Sequence, residues 1–237
     1  AQCRGLGGLP TGGTQTYLNL STMLPNDPSL PLAAREESKL NSKAPSSRAR
    51  LDTGFDMTLQ ARSVFGWEIA GAIFIVVAGS ALHFAFDWTN RWWPIAVFAA
   101  VNESIWEHLK LAFWPGLFWA AVTFRAVGVS VSENLSIKGS TLLLTACLIV
   151  GIFVSYTHIL GRNVLILDIG SFALAVLIGQ VASALLIIRR VNNRELARLG
   201  LALLLVQLAA YSLFTFYPPD LWLFLDSRTG TVGIPTQ

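Results

Sequence analysis

Three histidines, His83, His108 and His158, and a few carboxylates are the residues of this 237-residue chain best suited to chemistry. Imidazoles and carboxylates both bind divalent cations, and they exchange protons near neutral pH. They concentrate in the segment Asn102-Glu103-Ser104-Ile105-Trp106-Glu107-His108-Leu109-Lys110. On a helix, Glu103 and Glu107 share one face, and Ser104 and His108 share a neighbouring one. His83 and Asp87 are likewise four apart, while His158 and Asp168 flank a short connection between two apolar runs. Glu103, Glu107 and His108 are the candidate catalytic groups. His83, Glu107, His108, His158 and Asp168 are candidate metal ligands, with Lys110 and Asp87 beside them. A divalent metal such as zinc would activate water for hydrolysis. The spacing does not spell a metalloprotease motif, since His-Glu-x-x-His is absent, and Ser104 lacks a Gly-x-Ser-x-Gly elbow. Proton handling therefore stays open beside metal binding. So does a purely structural role, with Glu107 and Lys110 paired at i, i+3 and Asp168 paired with Arg162.

The elements that must position these groups are long apolar runs. The chain is 53% hydrophobic and 13% charged, about half the charge of a soluble domain. Candidate spans are Phe65–Phe86, a segment ending near Phe124, Gly139–Leu160, Val164–Ile188 and Ala197–Tyr217. Each is close to the roughly 20 residues that cross a bilayer. Runs of that length in lipid must be helical, because their backbone groups have no other partner. The expected fold is an all-α, polytopic membrane helix bundle of about five transmembrane helices. The second span is unusual. Residues 94–125 as one helix would be about 48 Å long, so it tilts, lies partly at the interface, or breaks near Asn102. Pro115 adds a kink.

Basic residues orient the bundle. Arg125, Lys138, Arg189, Arg190, Arg194 and Arg198 fall on the side of the N-terminal tail, against Arg91, Arg162 and Arg228 on the other. The positive-inside rule then places the N-terminus in the cytoplasm and the C-terminus outside. Trp88, Trp92, Trp93, Trp106 and Trp222 form an aromatic belt at the outer face. The three histidines, Glu103, Glu107 and Asp168 all lie at that depth, which predicts one polar pocket opening outward. Residues 218–237 form an extracytoplasmic tail, in which Leu221–Leu225 suit lying on the membrane surface or, the favoured alternative, folding as a lid over the mouth. Residues 1–60 are a polar tail without apolar periodicity, expected to be disordered, and Met57 is a plausible alternative start. The basic pI near 9.1 is accounted for by topology, and no motif points to nucleic acid. The two cysteines, Cys3 and Cys147, belong to different levels and are not expected to pair. The lipid bilayer is the one partner the composition identifies; a protein partner or homo-oligomer is not legible.

Asn102 to Lys110, followed by Phe113-Trp114-Pro115, resembles a signature of an uncharacterised family of prokaryotic multi-pass membrane proteins, a domain of unknown function. The ending Phe214-Thr215-Phe216-Tyr217-Pro218-Pro219, then Leu223-Phe224-Leu225-Asp226 and Thr229-Gly230, is similar to that family's tail. The resemblance covers roughly Trp67 to Pro235. It implies a multi-pass protein of a bacterial or archaeal plasma (inner) membrane and no particular activity. Three functions remain open: a protein whose outward-facing pocket binds a metal, proton or small polar ligand; a membrane-embedded metal-dependent hydrolase; and a structural or accessory membrane subunit.

Overall fold

The structure, a computed structural model, describes residues 32, 47–189 and 193–234, with side chains described at 32, 59–189 and 193–234. The described residues form five long helices: α1 (Ser47–Trp88), α2 (Ile105–Thr123), α3 (Val131–Leu160), α4 (Leu165–Ile188) and α5 (Arg194–Phe216). Short 3-10 turns at Trp93–Val97 and Trp222–Phe224 complete the order, and no strand occurs among the described residues. The expected all-α bundle is therefore the observed one. Apart from residue 32, the tail lies outside the described residues up to residue 46, as does Cys3.

Among the described residues, four segments are long and apolar enough to cross a membrane: Leu59–Trp88 of α1, and the whole of α3, α4 and α5. They are built inside out. On α4 most buried positions are small or polar, among them Ser171, Ala175, Gly179, Gln180 and Ser183, with Val176 and Ile187 beside them. Leu165, Ile166 and Ile169 on the same helix are exposed. In water such a surface would cost about 25 cal/mol per Å²; in lipid it is solvated, and small inward residues let helices approach. α2 is less apolar because its first turns carry Glu107, His108 and Lys110, and it is buried along much of its length.

The long second stretch breaks. Pro94 sits in the 3-10 turn, and α2 starts only at Ile105. The Asn102 side chain accepts the Ser104 N–H at 2.9 Å, a local turn that competes with helix. Ser104 Oγ then caps the Glu107 N–H at 3.4 Å. α3 also begins earlier than the apolar run at Gly139, because Ser130 caps the Glu133 N–H at 3.2 Å. This Ser-x-x-Glu start pulls Lys138, expected in a cytoplasmic loop, into the bundle. Its ammonium donates to Glu68 Oε2 and Gln180 Oε1, both at 2.6 Å.

α3 packs against α2, α4 and α5. The α3–α5 crossing is close enough for backbone contact: a Cβ on Gly139 would strike the Gly200 carbonyl, and one on Gly200 the Ser136 carbonyl. Gln207 Nε2 also donates to the Gly139 carbonyl at 2.8 Å. Gly139→Ala and Gly200→Ala are each expected to lower stability by about 1–3 kcal/mol. Thermal unfolding in detergent reads this, and an unchanged midpoint in both would contradict the crossing.

Candidate functional site

A close helix approach positions the site. A Cβ on Gly79 of α1 would lie 2.6 Å from the Leu111 carbonyl of α2 and 3.3 Å from the Phe172 ring of α4. Only a glycine lets these backbones come so near. One turn along α1 stands His83, and nearly one turn before Leu111 stands His108. Their Nε2 atoms face each other at 3.2 Å. Glu103, in the loop left by the broken span, sends Oε2 to within 3.5 Å of His83 Nε2 and 3.6 Å of His108 Nε2. The three side chains offer one ligand atom each, all within 4.8 Å of one another.

The surroundings fix their chemistry. His108 Nδ1 lies 2.7 Å from the Ser104 carbonyl. A carbonyl only accepts, so Nδ1 carries a proton, and Nε2 is the ring nitrogen that faces the centre. His83 Nδ1 is buried without a hydrogen-bond partner. The hydrogen bond with His83, followed by the charges of His83, His108 and Arg228, holds the Glu103 carboxyl below the usual carboxylate range against the opposing effect of burial. The three side chains are about a quarter to a third exposed.

The C-terminal segment closes on this corner. Phe224 stacks on Trp106 at 4.6 Å between ring centres, and Asn102 Nδ2 donates to the Gly233 carbonyl at 2.9 Å. Arg228 Nη1 lies 3.7 Å from Glu103 Oε1. The Asp226 carboxylate shapes the turn by accepting the Arg228 N–H at 2.7 Å.

A model of a family of unknown function, DUF6512, matches residues 57–234. The chain belongs to this family. No curated protein and no solved structure matches it.

In this DUF6512 chain the other expected residues have different surroundings. Glu107 points away from the histidines: its Oε2 pairs with Lys110 Nζ at 2.6 Å and accepts the Val101 N–H at 3.0 Å. Lys110, fully buried, also donates to the Ala96 carbonyl and to Thr215 Oγ1, both at 2.8 Å. Asp168 accepts the Tyr156 hydroxyl and is an electrostatic neighbour of His108. His158 is exposed near the end of α3, outside the cluster. Asp87 is exposed and lies 3.7 Å from Arg91. Trp88, Trp92, Trp93 and Trp222 are exposed as a belt requires, whereas Trp106 packs inward on Tyr211, Phe214 and Phe224. Sequence reasoning assigned no site role to Arg228 or the Ser104 carbonyl, which nothing short of three-dimensional proximity reveals.

Glu107→Gln or Lys110→Met leaves one charge of this pair buried without the other. Each is expected to cost about 3–5 kcal/mol, and the double variant Glu107→Leu/Lys110→Met should recover much of it. Unfolding midpoints of the four proteins test this; single variants as stable as the wild type would refute a pair that holds the loop.

Proposed function

We propose that this protein is a membrane-embedded metalloprotein in which His83, Glu103 and His108 hold a divalent transition-metal cation, zinc by preference. One observation carries the reading: the three ligand atoms are 3.2, 3.5 and 3.6 Å apart. Bonds of about 2.0–2.1 Å to a tetrahedral cation require ligand separations of roughly 3.3–3.4 Å. The His108 Nδ1 contact with the Ser104 carbonyl supports it, since metal-binding imidazoles commonly anchor their second nitrogen this way. Three protein ligands leave a coordination position open. When bound, the cation would polarise a substrate oxygen and lower the pKa of water at that position, so metal-assisted hydrolysis is the reaction class this arrangement favours. Arg125, Arg189, Arg194 and Arg198 at the opposite end of the bundle support an outward-facing site with the N-terminus inside. The resemblance of the Asn102–Lys110 motif favours the plasma membrane of a prokaryote.

A second reading has its own support. The 3.2 Å His83–His108 contact is also within hydrogen-bond distance, and with Glu103 beside it the triad could pass a proton without metal. Elemental analysis separates the two. The purified wild type, supplemented with zinc, is expected to retain about one equivalent per chain. His83→Ala, Glu103→Gln and His108→Ala should lose it while staying folded, and Asp87→Asn should keep it. Failure to retain zinc, manganese, iron, cobalt or nickel would overturn the metal reading in favour of proton handling. Gly79→Ala, which touches no ligand, is expected to weaken zinc binding at least about tenfold by separating α1 from α2. Competition with a chromogenic chelator measures that change.

A further inference from the structure

α1 and α4 run antiparallel in a register that their contacts fix. A Cβ on Gly79 of α1 would lie 3.3 Å from the Phe172 ring of α4, and one on Gly71 would lie 3.1 Å from Gln180 Nε2. Further along, Val64 and Ile187 share one buried cluster. Each step back along α1 is matched by an equal step forward along α4, so Ser183 stands opposite Glu68. Both are almost completely enclosed, at 0% and 1% exposure, yet Ser183 Oγ and Glu68 Oε1 have no hydrogen-bond partner. The other carboxylate oxygen, Glu68 Oε2, accepts from Lys138 Nζ, which also donates to Gln180 Oε1. Those are the two acceptors of the ammonium among the described residues, and it has a third N–H to give. One turn before Lys138 on α3, Asn134 donates to the Ala120 carbonyl, while its own buried Oδ1 is unpartnered.

We infer that this cluster is an internal water site, in which at least one ordered water bridges Glu68 Oε1 and Ser183 Oγ. A buried oxygen without a partner is costly, and facing polar groups too far apart to bond directly are joined through water. Charge decides the class of ligand. A cation is repelled by the Lys138 ammonium and an anion by the Glu68 carboxylate, whereas water is neutral and both donates and accepts. Size agrees with charge. The cavity that Gln180 lines with Thr141, Thr145 and Gly179 is about 10 Å³, close to the least space that holds one water. One turn beyond Glu68 and Ser183, the apolar cluster of Val64, Val127, Ala184 and Ile187 closes the site on that side. The assignment is independent of the metal reading, because none of these residues belongs to the His83–Glu103–His108 corner.

Ser183→Ala separates a wet core from a dry one by the sign of its effect. In a dry core it removes an unsatisfied hydroxyl, and the unfolding midpoint rises. In a wet one it takes a partner from the water, and the midpoint in detergent is expected to fall by about 2–4 °C. Water-edited solid-state NMR of the full isotope-labelled chain in lipid bilayers gives a second, direct readout. In the wild type, water magnetisation is expected to reach Ser183 and Lys138 but not Ala175, which is equally buried on α4 in the apolar core. Ser183→Ala should weaken the transfer to Lys138. No transfer to Ser183 or Lys138 in the folded wild type, or a midpoint unchanged or raised in Ser183→Ala, overturns the water site. A midpoint raised by sodium or lithium chloride over choline chloride at equal ionic strength, and only while Ser183 is present, makes a monovalent cation the occupant. That outcome also overturns it.

Discussion

The buried pair of Glu107 and Lys110 is the interaction around which this end of the bundle is organised. Two opposite charges at i, i+3 on α2 would be unremarkable on a wet helix. Here Lys110 is fully enclosed, and its three hydrogen-bond positions are taken by Glu107, the Ala96 carbonyl and Thr215. The pair thus ties α2 to the 3-10 turn before it and to α5. Glu107 reaches back to the Val101 N–H, which fixes the loop that carries Glu103. In a low-dielectric interior each of these bonds is obligatory, because an unpaired donor there has no water to replace its partner. The carboxylate next to His108 in sequence is consequently spent on architecture, and Glu103, held outside the helix, faces the two histidines.

The opposite half of the bundle follows the same logic with different residues. Lys138 is enclosed by Glu68 and Gln180, joining α3 to α1 and α4. Two lysine–glutamate pairs therefore crosslink the helices, one in each half. Hydrophobic burial cannot provide that specificity in a membrane, since lipid tails are as apolar as leucine. Close backbone contact at Gly79, Gly139 and Gly200 does the remainder.

Much of the fold was legible in the sequence because lipid imposes a strong pattern: apolar runs of sufficient length, separated by charge and proline, are helices. Phe65–Phe86, Val164–Ile188 and Ala197–Tyr217 lie within or nearly coincide with observed helices. The start of α3 was not legible from apolar periodicity, which begins at Gly139. The better signal was Ser130-x-x-Glu133, a capping arrangement that lies in polar sequence and extends the helix through Lys138. His83, Glu103 and His108 were legible as candidates and their pairing was not. Treating residues 94–125 as continuous helix puts Glu103 and Glu107 on one face. Asn102 and Ser104 end that equivalence by restarting the helix at Ile105, so the two carboxylates diverge. The approach of His83 to His108, twenty-five residues away, depends on Gly79, whose role appears only when a second backbone is seen against it.

The break also explains why polar side chains gather at this corner. Continuous helix consumes its own backbone groups, whereas the break leaves the Val101 and Ser104 amides and the Ser104 carbonyl to bond side chains. Ser104 serves at once as cap for Glu107, through its hydroxyl, and as acceptor for His108 Nδ1, through its carbonyl. Irregular backbone near a membrane is tolerated where protein covers it or water reaches it. The C-terminal segment supplies the cover, through Phe224 on Trp106 and Gly233 on Asn102. The same segment brings Arg228 to Glu103. The elements needed to satisfy a broken span are thus the elements that complete a polar corner.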